Sequence, residues 1–478
     1  MSRSLKIAAL AWALPVAALA ADVEAVKTTV TASIDARRPE LVALSDRIWE
    51  YAETALRETR SAAALADFAE ARGMSVVRGV AEMPTAFVAS YGTGRPIVAI
   101  LGEYDALPGI SQKAQPSLEP LTPGAAGHGC GHNLFGAASL GAALAIQEQI
   151  AAGALEGTVR FYGTPAEEAV GGKLYMLRAG LFDDVDVVLA WHPSDEIVAD
   201  TGSSQAMVDF VAEFEGRTAH AAYDPWNGRS AADAAEVFTF ALNLTREHVR
   251  PTTRVHYVVT DAGEVPNVVP DHASVWTWLR DSSHERVDEL LARARDMVAG
   301  AALATGTRGT LRVQSGDWEM LPLLSGARLL HENLTRLGPL AFDEEEQEFA
   351  RQIQRATGVE PVGLAGEIQP LDLEPGEPEG GSTDVADVSW KAPTLHLSVT
   401  TAPAGAPWHA WPVVASGGMS IGHKGLAYAA KALATTAVDL YLDPARLAEI
   451  RAEFEERTAG AQYRAYIPEG PPPVPAGD

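Results

Sequence analysis

Apolar positions recur at helical spacing from 23 to 72, with Leu41, Leu44, Ile48, Tyr51 and Ala52 on one face, and Gly73 ends the run. The period then changes. Short β-type runs occupy 86–91 and 97–101, the second an unbroken apolar stretch of the kind buried on both faces of a mostly parallel sheet. Small apolar residues at roughly helical period fill 133–152, and strands follow at 158–163 and 185–190. Around 201–205 the character shifts to an alternating strand at 206–216, a helix at 230–249, strands at 256–262 and 273–282, a helix at 284–305 and a strand at 310–317. A Ser282-x-x-Glu285 capping box is expected to open the second of these helices. This β-α-β-β-α-β order predicts a split βαβ sandwich, compact enough to be an insertion. From 321 helical segments resume, with a strand at 394–399 and a last amphipathic helix ending near 442. The predicted fold class is α/β: a mostly parallel mixed sheet flanked by helices, interrupted by an inserted α+β domain. The boundaries fall at 1–20 for a signal segment, 21–204 and 321–467 for the two parts of the main domain, 205–320 for the insertion and 468–478 for a Pro-rich disordered tail.

Charge narrows the partners. With 37 Lys and Arg against 63 Asp and Glu the net charge is -26, and no basic run interrupts it, so a nucleic acid would be repelled and a small-molecule substrate is expected. Arg3 and Lys6 precede an apolar run over 7–19 that closes on Ala18-Leu19-Ala20, the form of a secretory signal. The expectation is an exported protein, periplasmic or secreted, with no membrane association once the signal is removed. In such an oxidising compartment the single cysteine, Cys130, has no internal partner, so it is either inert and buried or held by a metal.

The candidate chemistry gathers at strand ends, where open α/β sheets bind ligands. The strand at 97–101 runs into Gly102-Glu103-Tyr104-Asp105 and delivers Asp105. Cys130 and His132 stand two residues apart in Gly127-His128-Gly129-Cys130-Gly131-His132-Asn133, whose glycines let thiolate and imidazole turn toward one ion; the helix that follows is expected to favour the ionised thiolate through its dipole. Thr164-Pro165-Ala166-Glu167-Glu168 follows the next strand, and two adjacent glutamates cannot point the same way, so one can bind metal while the other acts as base. Trp191-His192-Pro193 ends the third strand. His423, at the start of the last helix, is the candidate for the final ligand, while His409 in Trp408-His409-Ala410-Trp411 is divided between a substrate loop and plain surface. His248, His256, His272, His284, His331 and His396 lack a partner pattern and read as structural or solvated. Within the insertion, His220, Asn267 and Arg280 read as substrate contacts, with Arg280 a fork for a carboxylate.

Glu103 to Gly109, Gly127 to Asn133, Thr164 to Glu168, Gly216-Arg217-Thr218-Ala219-His220-Ala221-Ala222, Gly381-Ser382-Thr383-Asp384-Val385 and Ile421-Gly422-His423-Lys424-Gly425 together resemble the motifs of the dinuclear metallo-aminoacylase and carboxypeptidase family, in particular its aminobenzoyl-glutamate utilisation branch. The resemblance implies a zinc-peptidase-like main domain interrupted by a lid that also forms a homodimer, and two divalent metal ions per subunit, Zn or Mn. Carried over, it makes Cys130, His132, Glu168, His192 and His423 the metal ligands and Glu167 the general base. It makes Asp105 the residue that orients a ligand, and His220, Asn267 and Arg280 the substrate contacts, with His220 reaching across the dimer. The activity implied is hydrolysis of the amide of an N-acyl or N-aroyl amino acid, or of a dipeptide, by metal-activated water. Two alternatives are a cysteine hydrolase pairing Cys130 with His132 or His128, and an exported binding protein that keeps only the fold.

Overall fold

The computed structural model describes residues 16–374, 376, 378 and 380–475. Residues 1–15 of the expected signal segment lie outside the described residues, and from Val16 the chain is helical as far as Tyr51.

Among the described residues, eleven strands form two sheets: β1 (Ser75–Arg78), β2 (Phe87–Thr93), β3 (Ile97–Gly102), β4 (Gly157–Gly163), β5 (Val187–Ser194), β6 (Val198–Ala199), β7 (Ala206–Glu215), β8 (Arg254–Asp261), β9 (His272–Asp281), β10 (Arg308–Asp317) and β11 (Thr394–Thr400). The larger sheet has the order β1-β2-β4-β3-β5-β11-β6. Its centre, β4, β3, β5 and β11, is parallel; β2 on one side and β6 on the other join it antiparallel, and β1 pairs antiparallel with β2. Every residue of β3 is buried, as its unbroken apolar sequence requires of a strand covered on both faces.

The helices Val16–Tyr51, His132–Ala151 and Ser420–Leu442 pack on one another over this sheet. The middle one is long and apolar enough to cross a membrane, but 83% of its apolar window is buried in the core. Its small residues serve close approach. A Cβ on Gly136 would stand 2.6 Å from the Glu103 carbonyl oxygen, so glycine there lets the helix lie against the loop that leaves β3.

The second sheet is antiparallel, in the order β10-β7-β9-β8, and carries the helices Ala231–Thr245 and His284–Thr305. Phe210, Phe214, Phe238, Val275 and Val298 form a core of their own between sheet and helices. The expected capping box at Ser282 does not form. The helix starts at His284 after Ser283, whose side chain makes no capping bond, and the Glu319 carboxylate takes the His284 N–H at 2.7 Å instead. A carboxylate from the chain leaving β10 supplies the cap because that segment returns across the helix start. In the tail, the carbonyls of Pro468 and Gly470 accept hydrogen bonds from Arg178, so its first residues are held to the body of the protein.

Candidate metal centre

The carboxyl ends of β3, β4, β5 and β11 share one edge, and the chemistry collects there. Beyond β3, Glu103 and Asp105 are both buried. Gly131, at φ 77°, turns the cysteine loop into the helix that begins with His132. Asp105 joins two elements: Oδ1 lies 2.9 Å from His132 Nδ1, and Oδ2 accepts the Glu168 N–H at 2.9 Å. The β5 strand continues past its predicted end to Ser194, which places His192 in the ladder with Nε2 3.3 Å from Cys130 Sγ. After β4, Ala166 adopts a left-handed backbone at φ 62°, uncommon for a residue with a Cβ and typical of strain held at a functional site. Its N–H is taken by the buried carboxylate of Glu58 at 2.9 Å. That turn leads into the two glutamates.

Among the described residues, His423 belongs to none of the groups of converging ligand atoms. Its Nε2 faces Asp46 Oδ1 at 2.7 Å, because the start of the Ser420–Leu442 helix packs against the helix that bears Asp46, away from the sulfur. His409 closes the site instead. Its N–H donates to the Gly129 carbonyl at 3.1 Å, its Nε2 is 3.5 Å from Glu168 Oε2, and its own φ is a left-handed 55°. A Cβ on Gly129 would sit 3.2 Å from the His409 Cα, so the glycine allows this loop to lie directly over Cys130.

Among the described residues, two groups with converging ligand atoms share the sulfur: Cys130, His132 and His192, and Cys130, Glu168 and His409; a third joins Glu103, His132 and Glu167. A further group, His284, Glu285 and Glu319, lies at the helix start, where the Glu319 carboxylate is already engaged as cap. The donor set at the sheet edge fits cations. Glu103 Oε2 and His132 Nε2 stand 3.0 Å apart yet neither has a hydrogen-bond partner, and Glu168 Oε1 is likewise buried and unsatisfied. Soft, borderline and hard donors in one pocket are a metal site's composition.

Electrostatics agree with that composition. Burial and the carboxylates of Glu103 and Glu168 push Glu167 well above the usual carboxyl range. Burial, opposed by His132 and reinforced by Asp105 and Glu103, pushes Glu168 up to about 7. Burial and Glu168 also push the Cys130 thiol up, against the ionised thiolate expected from its place before a helix. Burial and the His132 charge lower His192 to about 4. For Glu103 burial acts upward, but Lys173 and His132 outweigh it and hold the carboxyl low. Lys173 is fully buried, 2.6 Å from both Glu103 Oε1 and Asp384 Oδ1. Sequence reasoning overlooked this lysine, although it stands a few residues after the glutamate pair.

A cavity of about 800 Å³ opens over the centre, with Cys130, Glu167, Glu168, His192 and His409 in its wall. Arg280 lines it from β9, with its guanidinium donating to Ser382 Oγ at 2.9 Å. His220 and Asn267 do not line it. His220 Nδ1 accepts the N–H groups of Ala222 and Tyr223, and the Asn267 carbonyl takes the Ala221 N–H, all within one exposed loop region of the second sheet. His396, read from sequence as structural or solvated, does line the cavity, with Nδ1 2.6 Å from Asp200 Oδ2. Its signal was alternation: on β11, His396 and Ser398 interrupt an apolar strand at period two.

Residues 99–309 match the peptidase family M20/M25/M40. The chain is 38% identical over 474 residues to one of the subunits of p-aminobenzoyl-glutamate hydrolase from Escherichia coli K12, covering 93% of this chain and 98% of that one. It is 30% identical over 449 residues to the Xaa-Arg dipeptidase of Mus musculus, at 91% and 94% coverage. The fold matches that of a dinuclear metal-binding M20 peptidase from Bacillus subtilis, with a TM-score of 0.59 at 19% identity over 85% of this chain and 99% of that one. Full-length similarity of this degree, over a sheet edge furnished for cations, means that the chain belongs to the M20/M25/M40 peptidase family and is a metal-dependent hydrolase of amide bonds.

Proposed function

We propose that this protein cleaves the amide of an N-acyl or N-aroyl amino acid, or of a dipeptide, with two divalent ions per subunit. One observation carries the reading: two ligand groups share Cys130 beside a carboxylate that neither uses, Glu167, in the wall of a cavity that also offers Arg280. Cys130, His132, Glu168, His192 and His409 would hold the ions; thiolate and imidazole suit zinc, and a mixed N/O/S set also accepts manganese. Bound there, the ions supply Lewis acidity toward a carbonyl oxygen and a water. Glu167 takes the water proton and returns it to the leaving amine. Arg280, steadied by Ser382, presents guanidinium donors to the free carboxylate of the amino-acid half.

Relatives' substrates support the class. One relative is named for p-aminobenzoyl-glutamate and another for Xaa-Arg dipeptides, and both substrates join an acyl group to an amino acid that ends in a free carboxylate.

The cysteine alternative now has a specific pair, Cys130 and His192 at 3.3 Å. Its electrostatics run the wrong way. A nucleophilic thiolate needs the thiol lowered and the imidazole raised, whereas here burial raises the one and lowers the other.

We further infer a homodimer through the second sheet and export directed by residues 1–20. Val237, Phe240 and Leu244 form an exposed apolar stripe on the Ala231–Thr245 helix, next to Val258 and Val259 on the edge strand β8, whose outer hydrogen-bonding side is open. Pairing there would bring a second copy's His220 loop into play. The decisive experiment is hydrolysis of 4-aminobenzoyl-glutamate, N-acetyl amino acids and Xaa-Arg dipeptides with metal content measured on the same preparation. Loss of hydrolysis on chelation with recovery on Zn or Mn is expected, and retention of full activity in metal-free protein would overturn the reading.

A further inference from the structure

On β11, His396 and Ser398 point to one face of the sheet, and the parallel register sets Ser398 beside His192 and His396 beside Ala190. His396 therefore lies two residues along the strand from the level of the metal-site histidine, roughly 6.6 Å deeper into the cavity wall. The Asp200 carboxylate takes His396 Nδ1 at 2.6 Å and the Ser398 hydroxyl at 3.1 Å. A carboxylate can only accept, so Nδ1 carries a proton; with the ring neutral, Nε2 is left as an acceptor. Nε2 has no hydrogen-bond partner among the described residues, while the ring and Asp200 both line the cavity. The Asp200 carboxylate makes this end of the wall unfavourable to a second anion. Trp408, whose ring centre is 6.0 Å from that of His192, supplies a flat apolar surface in the same cavity wall.

We propose that the Asp200–His396 pair is a specificity site for an N–H donor on the acyl half of the substrate, an amine set one aromatic ring or a comparable span beyond the scissile carbonyl. This rests on the proposed amide hydrolysis at the Cys130 centre. Arg280 holds the carboxylate of the amino-acid half, and the acyl group extends past Trp408 until its amine meets His396 Nε2. An acyl group that lacks the amine leaves Nε2 unpaired, and one that ends in a carboxylate meets the Asp200 carboxylate.

The test compares 4-aminobenzoyl-glutamate, benzoyl-glutamate and 4-carboxybenzoyl-glutamate as substrates of the metal-loaded enzyme. The wild-type protein is expected to show a kcat/KM about tenfold higher for the amino than for the unsubstituted compound, the effect of one partly exposed hydrogen bond, and the carboxy compound should be poorest. In His396→Phe the amino-to-unsubstituted ratio should collapse to about one; Asp200→Leu, which frees the ring from its fixed tautomer, should collapse it too and serves if the first variant misfolds. Equal wild-type rates on the amino and unsubstituted compounds, preference for the carboxy compound, or a preserved ratio in a folded variant would overturn the specificity site and leave amide hydrolysis standing. Absence of hydrolysis of all three by the loaded wild-type enzyme, with calorimetry showing that 4-aminobenzoate binds no better than benzoate, would overturn both.

Discussion

Asp105 holds His132 Nδ1 at 2.9 Å with one oxygen and the Glu168 backbone N–H at 2.9 Å with the other, so a single buried carboxylate sets the position of two proposed ligands from different elements. Partners of this kind fix the tautomer and orientation of a ligating imidazole. Asp105→Ala should weaken metal retention by about 10- to 100-fold. Dialysis against graded chelator, with bound metal counted, reads this directly; wild-type retention would remove the orienting role.

Glu167 touches the cavity without belonging to either group that shares the sulfur. Glu167→Gln keeps the size and removes the base. The expected result is a fall in kcat of about 10²- to 10⁴-fold with unchanged metal content. Wild-type turnover in a fully loaded variant would transfer the base role elsewhere.

Two histidines separate the ligand assignments. His409→Ala should lower the bound metal stoichiometry, since it removes a donor beside Cys130 and Glu168. His423→Ala should retain the wild-type stoichiometry and lose at most about 1 kcal/mol of stability, because its Asp46 partner is 40% exposed and such pairs contribute little. The reverse pattern would restore His423 to the centre.

Lys173 sits between Glu103 and Asp384 with all three side chains out of contact with solvent. Removing the cation leaves two buried carboxylates facing each other. Lys173→Met should destabilise the protein by about 3–5 kcal/mol, read as a lowered denaturant midpoint. A double change, Lys173→Met with Asp384→Asn, should recover part of that loss, and an unchanged midpoint in the single variant would show that the trio is not a mutual support.

Stability should also depend on pH through Asp209 of β7. Burial pushes its carboxyl from 3.8 up to about 6, against the pull of the Trp276 and Trp278 ring N–H groups. A raised acid binds its proton more tightly folded than unfolded. Its contribution is therefore fullest below pH 4, declines as pH rises from about 4 to 6, and is flat above. Asp209→Asn keeps an acceptor for Trp276 without the charge, so it should flatten that interval and gain on the order of 2 kcal/mol at pH 7 relative to the native residue. Unfolding midpoints at pH 4, 5, 6 and 7 test this, and parallel curves for the two proteins would contradict it.

Sequence and structure part company at identifiable places. β3, with no polar residue, was legible as a strand buried on both faces, and the run of strands and helices from 206 to 317 was legible because its period alternates cleanly between two and about 3.6. The capping box at Ser282 was not fulfilled: Asp281 takes the Ser282 N–H, and Glu319, distant in sequence, takes the His284 N–H where the helix starts. His396 looked isolated because Asp200 stands 196 residues earlier.

The amino-acid order alone determined which donors arrive at the sheet edge, because a strand followed by a polar loop is a local pattern and parallel strands carry their loops to a common side. It favoured His423 over His409 as the final ligand, although both lie beyond β11 at or just before a helix. Only the packed chain decided: at Gly129 the absence of a side chain lets the His409 backbone settle over the sulfur, while the last helix turns His423 toward Asp46. Convergence of that kind depends on distances between segments hundreds of residues apart, and periodicity carries no record of them.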